Sequence, residues 1–240
     1  MAQPANLAAP PHAFNAAEYI HGIMTAPPPP RQRTLGPPRQ RDAQATRARL
    51  IRAALDLFTA HGFRATTTPE IAQRAGVAEA TIYRHFAGKD ALLVSACVEA
   101  QNFGRGLVAL EAAEHDRDTR SALGRIGRRL VEGAERDPAL LRMLLRPPEE
   151  ALLEEPPRRA MREFRGSLEQ VMAAGKQRGQ VRPGSAELWA AVWLALAGFV
   201  VERVAAKEWT REHPNVEQAL EAAWEAIAYR RPETPLTMVT

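Results

Sequence analysis

Between residues 67 and 86, hydroxyl, imidazole and guanidinium side chains gather on two short segments. Thr81, Tyr83, Arg84 and His85 are left for outward work on segment 79–86, while Ile82 and Phe86 share the other side. Such groups donate hydrogen bonds or carry positive charge, which suits the phosphates and base edges of a duplex. Just upstream, Thr67-Thr68-Pro69-Glu70 has the spacing of a capping box. The Thr67 hydroxyl can accept from the Glu70 amide, and the Glu70 carboxylate can reach back to the Thr67 amide. Pro69 sits in the first turn, where a missing N–H costs little. Two helices, Thr67–Ala75 and Glu79–Phe86, separated by a tight turn, are what a helix-turn-helix (HTH) requires, with Ile71, Ala72, Val77 and Ile82 as its anchor.

Catalytic constellations are missing. There is no H-E-x-x-H, P-loop, G-x-S-x-G or paired Cys/His set, and the six histidines are scattered. Gly104, Gly106 and Ala109 fit a loose G-x-G-x-x-A pattern, but no strand precedes them. The expectation is a non-enzyme with no cofactor and no metal.

The net charge of +4 hides an asymmetry. Residues 31–89 carry eleven Lys/Arg against Asp42, Asp56, Glu70 and Glu79, whereas residues 90–240 are nearly neutral. One basic segment joined to a larger neutral one is the footprint of a part that meets phosphates. The single cysteine, Cys97, excludes an intrachain disulfide and is expected as a small buried residue. The longest apolar run, Leu188–Val201, has fourteen residues, short of the roughly 20 of a membrane span. Residues 1–30 hold no Lys or Arg for a signal-peptide n-region. A cytoplasmic protein with no membrane partner is expected.

Nine of the nineteen prolines lie in residues 1–40, where no apolar period survives. Residues 1–42 therefore read as a disordered Pro/Arg-rich arm. Its basic end, Arg31, Arg33, Arg39 and Arg41, is open to two readings: an arm that tracks DNA, or a solvated tail. Met24 is a candidate for the true start.

From Thr46 the periodicity is helical throughout, so the fold class is all-α. Leu50, Ile51, Ala54, Leu55 and Phe58 form one stripe, stopped by Gly62. Gly88 can cap a fourth helix with Ala91, Leu92, Leu93, Ala96 and Cys97, in which Gly104 and Gly106 predict a kink or an end. Further helices are expected around Leu123–Leu130, from Pro138, from Pro156 to about Gly175, from Ala186 (capped by Ser185) to about Ala206, and over Asn215–Tyr229.

The run Arg49–Phe58, then Gly62, Phe63, Thr66, Thr67, Ile71, Ala72, Ala75–Val77, Thr81–Phe86 and Lys89–Leu93, resembles the N-terminal domain of the TetR family of transcriptional regulators. The match covers Thr46–Leu92, about a fifth of the chain. It implies a three-helix HTH DNA-binding domain over residues 43–91 and a helical ligand-binding and dimerisation bundle over 92–230, with 231–240 as a flexible tail. It implies further that Thr66 and Thr67 grip phosphate, that Tyr83 and His85 touch the DNA backbone, and that Lys89 binds phosphate. Glu79, Ala80, Thr81 and Arg84 would occupy the base-reading face. Three positions depart from the family pattern: Ala78 and Gly88 stand where Ser is common, and Glu79 where a basic or small residue is common. Losing the Ala78 cap costs about 1 kcal/mol. The Glu79 carboxylate either accepts from cytosine N4 or sits poorly beside phosphate.

In the second part, the segment around Trp189, Val192, Leu196, Phe199 and Val200 is apolar nearly all round. With Leu220, Trp224 and Ile227 of the last helix it is expected to form a homodimer interface. Phe103, Met143, Met161, Phe164, Met172, Trp189 and Trp193 are candidates to line a pocket for a small apolar or aromatic effector. The function expected is a ligand-responsive repressor that binds double-stranded DNA at a palindromic operator and is released by that effector. The rival is a helical interaction module whose basic end binds an acidic protein.

Overall fold

The computed structural model describes residues 38–113 and 118–230. Among them are nine α-helices: α1 (Pro38–His61), α2 (Thr68–Ala75), α3 (Glu79–His85), α4 (Lys89–Ala113), α5 (Thr119–Arg136), α6 (Pro138–Leu145), α7 (Glu155–Gln177), α8 (Ala186–Ala205) and α9 (Pro214–Glu225). A 3-10 turn, Glu149–Leu153, leads into α7. Residues 1–37, with Met24, and residues 231–240 lie outside the described part. Residues 38–42, expected as the end of the arm, belong to α1, and the rest of the expected arm lies outside the described residues.

The first three helices are built as their sequence dictates. Leu50, Ile51, Ala54, Leu55 and Phe58 are buried on α1 and meet Ile71 and Ala72 of α2 and Ile82 of α3 in one apolar cluster. Gly62, at φ 84°, and Gly76, at φ 65°, take the left-handed conformation that closes α1 and α2. After Gly76 the Val77 amide donates back to the Ala72 carbonyl at 3.0 Å, which turns the chain sharply into α3.

Helix α4 leaves this unit and runs into the second bundle without a break at Gly104 or Gly106, so an end there is excluded. Gly104 is explained by close packing instead. A Cβ on it would lie 2.6 Å from Leu144 Cδ1 and 2.9 Å from the Phe164 ring. Helix α9 also ends earlier than the periodicity predicts. After Glu225 the chain pairs with the α7–α8 connection, Arg182 donating to the Ile227 carbonyl at 2.9 Å and Tyr229 to that of Gln180 at 2.8 Å. Helix α8 is long and apolar enough to cross a bilayer by length and composition. Here Trp193, Ala197, Val200 and Val201 are buried as it packs against α5, α6, α7 and α9. Cys97 is fully buried, and desolvation pushes its thiol up to about 11, as befits a packing residue.

Beside the shared apolar core, a polar cluster lies where α1 meets α6. Asp137, between α5 and α6, caps α6 by accepting from the Leu140 amide at 3.0 Å and takes an ion pair from Arg52 of α1. Arg52 also pairs with Asp56 at 2.7 Å, and Arg74 of α2 reaches the same Asp56 at 2.8 Å. Glu99 of α4 belongs to the same junction. Burial first, and then the Asp137 carboxylate, push its pKa up to about 7, against the pull of Arg47 and Arg52. A carboxyl raised in the folded state favours folding most when protonated, so its contribution is intact below about 4.5 and is lost as pH rises through about 7. Glu99→Gln is therefore expected to leave the melting temperature nearly unchanged at pH 5. At pH 8 it should raise stability by up to ~3 kcal/mol, read by thermal denaturation at both pH values.

Candidate nucleic-acid interface

The capping box forms: the Thr67 amide and hydroxyl both reach the Glu70 carboxylate at 2.8 Å. Thr67 itself stays exposed at the start of α2. Thr66 does not. It is fully buried, and its hydroxyl donates to the Gly62 carbonyl at 2.9 Å, satisfying an otherwise open acceptor at the end of α1. The phosphate-gripping role expected for the Thr66 side chain is thus corrected to an internal brace. The resemblance marks the position but says nothing of which way the side chain turns.

On α3, Ile82 is fully buried and holds the helix down. Glu79, Ala80, Tyr83 and Arg84 are exposed, and Thr81 and His85 are half-buried. The outward face named from sequence is therefore the face that α3 presents. Thr68, which sequence reasoning passed over, ties it to α2. Its hydroxyl donates to Glu79 Oε1 at 2.9 Å and lies 3.4 Å from the Tyr83 hydroxyl. The only signal for it was a third threonine in the run 66–68.

Lys89 has a structural role as well. Its ammonium donates to the carbonyls of Phe63 and Thr66, both at 2.9 Å, and stands 4.3 Å from the centre of the Phe63 ring. Two of its three N–H bonds are spent clamping the α1–α2 connection onto α4, so its first task is structural. Arg47, missed from sequence, does similar work at the far end of α3. Its guanidinium stacks 4.3 Å over Phe86, donates to the His85 carbonyl at 3.4 Å and to Ser95 Oγ at 3.2 Å. Arg52, Arg64 and Arg74 are paired with carboxylates, while Arg49 and Arg84 are exposed with no carboxylate in ion-pair range among the described residues. The expected basic footprint is smaller than the charge count suggested.

Of the residues expected to line an effector pocket, Phe103, Met143, Phe164, Met172 and Trp193 are buried in the core. Met161 and Trp189 are half-buried, with the Trp189 indole donating to the Pro183 carbonyl at 3.2 Å. A groove of about 670 Å³ opens between α7 and α8, lined by Leu145, Leu168, Leu194 and Phe199 together with charged Arg165, Glu169 and Glu202. The interface expectation divides. Leu196 and Phe199 are exposed, joined by Leu188, and Trp189, Val192 and Trp224 are half-buried. Val200, Leu220 and Ile227 are buried within the chain's own core. Thr66→Val is expected to lower stability by about 1–2 kcal/mol, since it strands the Gly62 carbonyl, with no change in duplex affinity per folded molecule. Chemical denaturation and a gel shift on the same samples check both halves.

Residues 50–96 match the family described as "Bacterial regulatory proteins, tetR family". The chain is 34% identical over 206 residues to the HTH-type transcriptional regulator TcmR of Streptomyces glaucescens, covering 81% of this chain and 87% of that protein. A TetR family transcription regulator from Marinobacter aquaeolei superposes with a TM-score of 0.66 at 25% identity, over 80% of this chain and all of the other. SmeT, the repressor of the Stenotrophomonas maltophilia multidrug efflux pump SmeDEF, superposes with a TM-score of 0.56 at 21% identity, over 80% of this chain and 96% of that one; it has also been solved as a triclosan complex. These relatives are DNA-binding regulators, not acidic-protein adaptors. A buried α3 anchor, an exposed α3 reading face and likeness along nearly the whole of another regulator lead to one assignment: the chain belongs to the TetR family of HTH transcriptional regulators.

Proposed function

We propose that this regulator acts in the cytoplasm as a homodimeric repressor, laying two α3 helices into adjacent major-groove turns of a palindromic operator and leaving it when a small apolar or aromatic molecule binds. The observation that carries the reading is the exposed polar face of α3, Glu79, Tyr83 and Arg84, on a helix pinned by fully buried Ile82. Residues 43–91 then serve as the DNA-binding unit, and 92–230 as the effector and dimer unit.

Dimerisation is supported by α8. Leu188, Ala191, Ala195, Leu196 and Phe199 are all exposed along one side of it, at the spacing of a helical seam. Water leaves such a stripe uncovered at a cost, and an isologous partner removes that cost. The 670 Å³ groove shares Ala191, Ala195 and Phe199 with this stripe and has the size of a small-molecule site. It reaches Leu145, the last residue of α6, whose other end is held to α1 through Asp137 and Arg52. A ligand that moved α6 would therefore bear on the HTH, and the bound triclosan named for SmeT favours an aromatic effector. A coupling of about 1–3 kcal/mol is enough for a 5–150-fold change in operator affinity.

Gel shifts on native genomic fragments test the reading. Affinity is expected to fall about 10³-fold or more between 50 and 200 mM salt, as phosphate contacts release counterions. Salt-insensitive binding, or none in dilute buffer, would reject it. Leu196→Glu is expected to yield a helical monomer in sedimentation and to cost roughly 100-fold or more in operator affinity, because linked half-site binding is lost.

A further inference from the structure

The carboxylate of Glu79 is the one acidic group on the exposed face of α3, and its placement is fixed rather than loose. Thr68 donates its hydroxyl to Oε1 at 2.9 Å, and Tyr83, one turn further along α3, lies 3.4 Å from that same hydroxyl. Glu79 and Tyr83 are four residues apart and so lie one above the other on the helix. Thr68 is the first residue of α2, so the contact spans the two helices of the motif. The side chain is thus held at the front of the reading helix by a neighbour on the helix behind it.

Ionised carboxylates accept hydrogen bonds and donate none. Beside a phosphate this one would be repelled. Facing base edges in the major groove it meets a clear choice. Guanine and thymine present only acceptor atoms there, whereas cytosine presents its N4 amino donor. Adenine also has an amino donor, but N7 beside it is an acceptor, and adenine is best met by a side chain offering both a donor and an acceptor, as Asn and Gln do. With Oε1 already accepting from Thr68, Oε2 is the freer oxygen for a base donor.

We infer that Glu79 selects a cytosine in each operator half-site, with Thr68 as the positioning residue that sets its carboxylate. This rests on the DNA-binding reading above and adds the base that is read. Glu79 stands where the TetR pattern often has a basic or small residue, so the preference belongs to this chain's own operator.

Selection of bound duplexes from a random pool tests it, using full-length wild type, Glu79→Gln, Glu79→Ala and Thr68→Val, each checked for unchanged helicity. Wild type is expected to enrich a palindromic motif with one cytosine column per half-site, preferred by about tenfold or more over other bases. Glu79→Ala should flatten that column and leave the others. Glu79→Gln should turn it toward adenine or another base with an acceptor. Thr68→Val should weaken the cytosine preference without changing affinity for non-specific DNA. An identical motif from wild type and both Glu79 variants overturns the inference, as does a Glu79-dependent column that is not cytosine in wild type. If wild type enriches no sequence at all, the DNA-binding reading falls and this inference with it; a motif indifferent to Glu79 removes this inference alone.

Discussion

A helix of seven residues cannot hold itself together in water. Nucleating one turn is costly, and isolated helices shorter than about 12–15 residues are marginal even with good sequences. Helix α3, Glu79–His85, lacks a side-chain N-cap as well, because Ala78 cannot supply one. Everything this protein does with DNA therefore depends on tertiary anchoring of those seven residues. Ile82 goes into the core shared with α1 and α2, Phe86 follows it, and Arg47 closes over Phe86 and the last carbonyl of the helix. Thr68 fastens the front of α3 from the side. The missing cap is offset by contacts from α1 and α2.

The same logic explains why two residues with the composition of phosphate binders are turned inward. The connection between α1 and α2 has left-handed Gly62 at its head and carries carbonyls with no helical partner. Buried carbonyls must be satisfied. Thr66 supplies a hydroxyl to one, and Lys89 supplies an ammonium to two others. The α1–α2 connection is thereby fastened to the first turn of α4. Thr67, Tyr83, Arg49 and Arg84 stay exposed outside this lock.

The sequence was informative where physical demands were periodic and local. The stripe Leu50–Phe58, the capping box, the glycine stops and the Ile82 anchor each follow from helix geometry, and each is present. It was less informative where the same residue type serves two ends. Phe103, Met143, Phe164 and Met172 at helical spacing look alike whether they line a cavity or fill a core, and only packing shows the second. Helix α8 was legible as a helix apolar on most sides. Which side its own chain covers was not, because that depends on α7 and α9 arriving from elsewhere in sequence. Val200 went inside and Phe199, next to it, stayed out. The resemblance carried Thr66 and Lys89 as positions, while their hydrogen-bond partners are set by local backbone carbonyls that no motif records.

One apolar cluster runs without interruption from Leu50, Ile71 and Ile82 along α4 to Leu140, Phe164 and Trp193. Close-packed interiors move as units. Charged groups gather at its edge, where α1 meets α6: Arg52 bridges Asp56 and Asp137, Arg74 shares Asp56, and burial raises the pKa of Glu99 beside them. Partly exposed ion pairs contribute little net stability, and their partners can be exchanged for water at small cost. The apolar cluster supplies the packing between α1, α4 and α6, and the charged groups at its edge set their register. Asp137 makes that register specific. It caps α6 with one oxygen and holds α1 with the other, so a change in the pitch of α6 cannot occur without disturbing the grip on α1. A helix of eight residues, Pro138–Leu145, thus has its first end committed to the DNA-binding unit and its last residue at the floor of the groove between α7 and α8. Asp137 and Leu145, one residue before α6 and its last, thus tie the same short helix to α1 at one end and to the groove lining at the other.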